Sequence, residues 1–399
     1  MRSIVFVLLL VVSSVYSAQV VTLSTKYQGS EDCEACHYYI VRKWRHSWHA
    51  KSHYAHDEYY RASVNYVSRK TRRSRDAVKI ECATCHNPRI TVTKTDFAYN
   101  LDKIMGLQTP IVKRVDKAVN DTKIREGINC VVCHNIDKIH NDLNSSFRGI
   151  NRVTWLPQGI MSGPFNDAVS PYHKTVYKKF MNSNPNELCF VCHANDHNVA
   201  GKIFINMQKQ YGDSKQTCVE CHMGPKKEFY AASLPIDHGK PKPRMIREHT
   251  FMGAHVASMW KHALKLSLRA NSNYLSITLK NNLPHNIPSG FGAREIRIEI
   301  IYQNGKKVVS RHFISLTKHY ISKLNRPTIP HLGVKASEDM SVPANGSKTM
   351  TIALNQKATS VRVNVYYILV NAQVRKLLHL KEPIWSQKMP IVSASLGDI

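Results

Sequence analysis

The sequence predicts an α+β chain: a mostly helical and irregular first part, then a small antiparallel β-sandwich. Three observations carry this. All ten cysteines lie between Cys33 and Cys221, in short segments rich in histidine and lysine. From about Leu266 the pattern changes to short stretches that alternate apolar and polar residues, as half-buried strands do. Those stretches are several and are separated by turn residues, which suits two packed sheets. The 399 residues, 43% of them hydrophobic, are long for one domain and comfortable for two. The expected organisation is a signal peptide over 1–17, a cysteine-bearing domain over 18–262 and a β-rich domain over 263–399.

The start of the chain has the form of an export signal. Arg2 supplies a positive charge, Ile4 to Val12 is an unbroken apolar run, and Val15 and Ser17 suit cleavage after Ser17. The run is too short to span a bilayer. No later stretch reaches the roughly 18 apolar residues of a membrane helix. The mature chain is therefore expected outside the cytoplasm, in the periplasm, secreted or at the cell surface, with no transmembrane segment.

The cysteines decide the chemistry. Each belongs to a Cys-x-x-Cys-His unit: Cys33, Cys36 and His37; Cys82, Cys85 and His86; Cys130, Cys133 and His134; Cys189, Cys192 and His193; Cys218, Cys221 and His222. This is the attachment signature of c-type haem. The two thiols stand about one helical turn apart, so each forms a thioether to one vinyl group of the same porphyrin, and the histidine lies under the iron. A disulfide framework would not put a histidine after every second cysteine, and zinc ribbons do not demand one. A thioredoxin-like redox pair would occur once. Five units imply five covalently bound haem c groups, and the porphyrins then act as core for the first domain, which frees its backbone from regular structure.

Within that domain, helical turns are expected at each unit. Val256, Met259, Trp260, Ala263 and Leu264 have helical apolar spacing and are expected to close it with a helix. In the β region, Tyr274 to Leu279, Glu295 to Tyr302, Lys307 to Leu316, Ser347 to Leu354 and Ser360 to Val370 are the strand candidates. Asn304-Gly305 marks a hairpin between the second and third.

The formal charge of +28 attracts anionic partners. Each ferric haem with ionised propionates carries about one net negative charge, so five leave the protein strongly basic. Export and a haem core argue against nucleic acid; an acidic redox protein is the expected partner. Arg69, Lys70, Arg72, Arg73 and Arg75 form the densest basic run, readable as a solvated loop or as a docking patch. An oligomer is compatible with the sequence.

Sixteen of the 21 histidines lie outside the five units. Each iron has a second axial position, where a further histidine gives a low-potential, six-coordinate haem. His49, between two tryptophans and an alanine, His173, His249 and His285 stand out by context, and spacing alone leaves each open between ligand and surface residue. The motif order resembles the multihaem cytochrome c family that includes the tetrahaem electron carrier of ammonia oxidisers, related to hydroxylamine oxidoreductase. The resemblance rests on Trp48-His49-Ala50 after the first unit, Gly127-Ile-Asn before Cys130, His173 ahead of Glu187-Leu-Cys189, and Cys221-His222-Met223 followed by His249 and Gly253. Pro284-His285 to Ser289-Gly290 is similar to the tail of other multihaem members. The resemblance implies that His49, His173, His249 and His285 are distal ligands. It leaves the fifth open, with His53, His140 and His255 in reserve. The chain departs from the tetrahaem carrier in its fifth unit and long β tail. It lacks the lysine-ligated haem of multihaem nitrite reductases.

The leading expectation is an exported pentahaem cytochrome that passes electrons between redox partners through mainly bis-histidine haems. Two alternatives stand beside it. One is an oxidoreductase with one open haem acting on a small nitrogen or sulfur compound. The other is a filament-forming structural cytochrome.

Overall fold

The computed structural model describes residues 29–92, 94–141, 147–198, 200–212, 214–233 and 242–399. The expected signal peptide, residues 1–17, lies outside these residues. The first part is built from short helices and loops. Helix α1 spans Glu31–Arg45, with Glu31, Asp32 and Glu34 in its first turn and Arg42, Lys43 and Arg45 in its last, as the helix dipole favours. It breaks at His37 (φ −104°, ψ 35°), so the two sides of the first unit belong to different helical segments. Helix α2 spans Glu58–Thr71 and α3 spans Arg75–His86. Asp57 and Ser74 cap them by accepting from the amides of Tyr60 and Ala77. Helix α4 (Phe97–Ile104) is capped by Asp96, and α5 (Pro110–Val119) opens on a proline, whose missing N–H costs nothing there. The remaining helices of this part are α6 (Cys130–His134), α7 (Pro185–His193), α8 (Met207–Gln210) and α9 (Cys218–His222). Helices α3, α6, α7 and α9 thus each end on an attachment histidine.

Four two-stranded ribbons brace the loops. They pair β1 (Ile136–Ile139) with β2 (Val153–Trp155), β3 (Ile160–Gly163) with β4 (Lys174–Tyr177), β5 (Asp196–His197) with β6 (Ile203–Ile205) and β7 (Lys227–Tyr230) with β8 (Pro243–Ile246). Only β3 and β4 run parallel. Apolar packing among protein side chains is modest here. The largest cluster, Ala77, Ile80, Ala83, Tyr99, Val112 and Val115 among others, joins α3, α4 and α5.

The expected helix over 256–264 is not formed. A single 3₁₀ turn, Ala257–Trp260, leads directly into β9 (Leu264–Ala270). Tertiary packing overrides the periodicity: the Trp260 ring stacks on Tyr367 at 3.9 Å, and Ala263 and Leu264 enter the sandwich core. The other strand expectations are met closely. Strand β9 pairs with β10 (Tyr274–Asn281), which pairs with β16 (Ser347–Ala353). The second sheet runs β12 (Lys307–Leu316), β11 (Glu295–Asn304), β17 (Ser360–Ile368), β18 (Met389–Gly397). All these pairings are antiparallel. A small sheet of β13 (Tyr320–Ile321), β14 (Pro327–Thr328) and β15 (Lys335–Ala336) and helix α10 (Ala372–Leu378) complete the β part.

The inward positions alternate as period 2 demands. Leu275, Ile277 and Leu279 of β10 face Ile296, Ile298, Ile300 and Tyr302 of β11 and Val361, Val363 and Val365 of β17, all fully buried or nearly so. The two parts of the chain are in direct contact. The Glu58 carboxylate of α2 accepts from the amides of Lys381 (2.8 Å) and Glu382 (2.9 Å) and from the Trp385 indole (2.7 Å).

Candidate haem centres

The five units are positioned by local chain geometry. A helical turn puts the two cysteines of a unit on one side and brings the histidine after them. All ten thiols are half-buried and free of disulfides. Burial pushes the Cys82 and Cys133 thiols up, to about 12 and about 11. The units also meet one another. The thiols of Cys33 and Cys130 lie close enough to shift one another's titration, as do those of Cys189 and Cys218, and Cys85 acts on Cys192 in the same way. Cys133 lies close enough for its charge to act on Cys189 and Cys192. Units far apart in sequence therefore form one contiguous cluster.

Three attachment histidines are oriented by backbone carbonyls. The Nδ1 atoms of His37 and His134 lie 2.6 Å from Ala231 O and 2.8 Å from Ser162 O. His222 Nδ1 makes the same contact with Met252 O. An Nδ1–H donated this way leaves the Nε2 lone pair free for a metal, as ligating histidines require.

Three further histidines stand opposite three of these rings. His173 faces His37 with centroids 6.3 Å apart. His49 faces His193 at 6.3 Å. His249 faces His134 at 6.2 Å. An imidazole–metal bond of about 2.0 Å, with ring nitrogens about 1.1 Å from the ring centre, puts two trans imidazoles about 6.2 Å apart. The side chains thus fit an iron held between them. Burial comes first in lowering these groups and the second histidine adds to it: His49 falls to about 3 and His249 to about 4. The rings are accordingly neutral, the form that binds metal. His285 is enclosed and close enough to feel the charge of His222, and its Nδ1 meets the Asn286 carbonyl at 2.9 Å.

Backbone fit supports the same arrangement. Gly149 adopts φ +54°, and a Cβ there would collide with the Thr84 carbonyl and lie 2.9 Å from Cys85 Sγ. The chain crosses the second unit where only glycine passes. Gly127 (φ +64°) does the same beside His49, with the His49 carbonyl 2.7 Å from a Cβ position.

The second and fifth units differ. Among the described residues, no histidine ring stands opposite His86 or His222 at this spacing; Tyr60 stacks on the face of His86 at 4.4 Å, and the enclosed His285 lies near His222. None of the reserve histidines takes that place. His255 stacks on Trp48 at 3.6 Å. His53 Nδ1 accepts from the Ala55 amide, and the His140 amide donates to Arg152 O. Trp44 and Trp48 bond to the Ile128 carbonyl and the Asp57 carboxylate.

A residue that spacing did not single out is His331. Its Nδ1 is buried with no hydrogen-bond partner among the described residues. Phe204 (4.8 Å) and Phe291 (5.9 Å) flank its ring. Burial pushes it down to about 3, and His86 and Arg148 add to the effect. Asn198 clamps its turn by donating to the carbonyls of Pro330 (3.0 Å) and Gly333 (2.7 Å). The Pro-His pair shared with Pro284-His285 was the available signal.

Residues 63–233 match the family model for outer membrane cytochrome MtrC/MtrF-like domains II/IV. No curated protein matches the chain. Among solved structures, a penta-heme cytochrome c552 from Thermochromatium tepidum superposes with a TM-score of 0.68 at 17% identity, over 92% of this chain and 98% of that one. The chain shares its fold. A match to the structural-genomics target SoR45, with a TM-score of 0.14 at 9% identity over 34% of this chain and 88% of that one, carries no weight. Attachment units, family model and fold together support a multihaem c-type cytochrome.

Proposed function

We propose that this protein is an exported pentahaem cytochrome that relays electrons between redox partners. The observation that carries the reading is the set of histidine pairs 6.2–6.3 Å apart across three attachment units. Haem c, when bound, supplies one-electron redox chemistry. The protein's own residues do the rest. The ten cysteines fix the groups. His37, His86, His134, His193 and His222 would each hold an iron, and backbone carbonyls orient His37, His134 and His222. His173, His49 and His249 would hold the iron together with His37, His193 and His134, and His285 would serve the fifth unit. Paired imidazoles hold potentials low and leave no coordination position for substrate. The cysteines of different units lie near one another, which places neighbouring groups close, as a relay needs.

We place the division between the two domains near residue 262, ahead of β9. Kinship with the tetrahaem carrier of ammonia oxidisers rests on motif order. The export segment and the outer-membrane family model support a location outside the cytoplasm, and no described helix is long and apolar enough to cross a membrane.

One observation favours a second reading, an oxidoreductase with one open haem. Neither His86 nor His222 has a facing imidazole at that spacing among the described residues, although the enclosed His331 lies near the first and His285 near the second. Electron paramagnetic resonance and optical spectra of the oxidised protein separate the two. Five low-spin haems establish the relay and remove the open site. A high-spin fraction of one haem in five establishes one open site. A high-spin majority overturns the relay.

A further inference from the structure

Helices α4 and α5 form an outlying hairpin beside the second unit. Their inner faces are committed. Tyr99 is fully buried, and Val112 and Val115 pack on Ala77 and Ile80 of α3. Lys103 joins the pieces, 2.5 Å from Asp116 on α5 and 3.3 Å from Asp76 on α3. The outer face of α4 is apolar. Phe97 is 80% exposed, Ile104 and Met105 are each 63% exposed, and Leu101 and Leu107 extend the patch. A soluble surface scatters such side chains singly; here five lie within eleven residues on one ridge.

Cations surround the ridge. Lys94, Lys113, Arg114, Lys117, Lys123 and Arg125 are exposed. Among the described residues, none has a carboxylate within 4.0 Å. Asp96, Asp102 and Asp116 are occupied by the Tyr99 amide, Thr109 and Lys103.

We propose that the α4–α5 hairpin docks the protein on an anionic lipid surface. Phe97, Leu101, Ile104, Met105 and Leu107 enter the interfacial layer, and the basic rim meets the headgroups. Three arguments select this occupant. The ridge is made of one phenylalanine and four leucine, isoleucine or methionine side chains, the set an interfacial helix presents, whereas protein hot spots favour tryptophan, tyrosine and arginine set into pockets. The rim is net positive, with seven Lys or Arg against four Asp between residues 94 and 125, which is complementary to anionic lipid. A second copy of the chain would press these cations against themselves. Docking here has a structural consequence. Helix α4 packs on α5, and α5 packs directly on α3, which carries Cys82, Cys85 and His86, so the second unit stands behind the docked hairpin. The inference is independent of whether that unit is open or six-coordinate.

The test is co-sedimentation of the holoprotein with vesicles of phosphatidylcholine alone, or with about one lipid in four replaced by phosphatidylglycerol. The parent is compared with the charge-neutral variant Leu101→Ser, Ile104→Ser, Met105→Ser. All three positions are exposed, and an unchanged haem spectrum verifies the fold. The parent is expected to bind the anionic vesicles and to retain binding at about 0.5 M salt, where screening acts beyond about 4 Å. The variant is expected to bind at least about tenfold more weakly and to be released by that salt. Equal binding of variant and parent at every salt concentration overturns the proposal, because diffuse charge would then suffice. A parent that ignores anionic vesicles also overturns it. So does a parent dimer that the variant dissociates, which would assign the ridge to a second copy.

Discussion

Replacing His49 by alanine tests the arrangement most directly. The His49 imidazole stands 6.3 Å from that of His193, tilted 29°. Its main chain is held separately: the His49 carbonyl accepts from the amides of Ile128 (3.1 Å) and Ser52 (3.3 Å) and from Ser52 Oγ (2.9 Å). Alanine keeps those bonds, so the segment stays in place and only the ring is lost. Phe251, 4.5 Å from the His49 ring, offers no ligating atom. One unit in five then loses its trans nitrogen, so one fifth of the low-spin signal is expected to become high-spin while all five haems stay attached. The assay is paramagnetic resonance of the oxidised protein at a haem content fixed by intact mass. His49→Met serves as control: thioether sulfur restores the low-spin state and raises that haem's potential. A His49→Ala spectrum identical to the parent refutes the pairing. Loss of a whole haem from the mass would instead make His49 an assembly residue.

The remaining predictions concern attachment, docking and stability. Gly149→Val should lower haem content at the second unit, read as a rise in protein bearing four haems, since its Cβ would collide with the Thr84 carbonyl; full occupancy would refute this. Reversing Arg69, Lys70, Arg72 and Arg75 to glutamate should slow electron exchange with an acidic partner at low salt and leave it unchanged above about 0.5 M. Arg73 is left alone because it is engaged with Glu81 at 2.6 Å. Glu58→Ala should cost about 1–2 kcal/mol at neutral pH by removing three bonds between the two parts of the chain. Burial would raise the Glu58 carboxyl, but the amides of Glu382 and Lys381 and the Trp385 indole hold it below its usual value. A lowered folded value means that the contribution is present above the ordinary carboxylate range, near 4.5, and is lost as pH falls through the folded value. Melting curves of parent and variant should therefore converge on acidification, and a constant gap down to acid pH would refute the assignment.

The sequence by itself determined whatever is local. A haem attachment unit is five consecutive residues on one helical turn, so Cys33 to His37 and its four repeats could be read without a structure. Period-2 alternation in Glu295 to Tyr302 and the Asn304-Gly305 turn likewise identified a hairpin, because strand faces are set by neighbouring residues. Only the tertiary structure decided which histidine faces which. His49 and His193, or His134 and His249, are far apart in the chain, and spacing cannot say where two loops meet. The same limit hid His331, whose place near His86 is made by a turn of the β part clamped to Asn198. It also explains the failed helix over 256–264. Apolar spacing there reports burial, and burial against Tyr367 in a sheet satisfied it as well as a helix would. Covalent attachment is a property of a few adjacent residues, whereas axial pairing is a property of the packed fold.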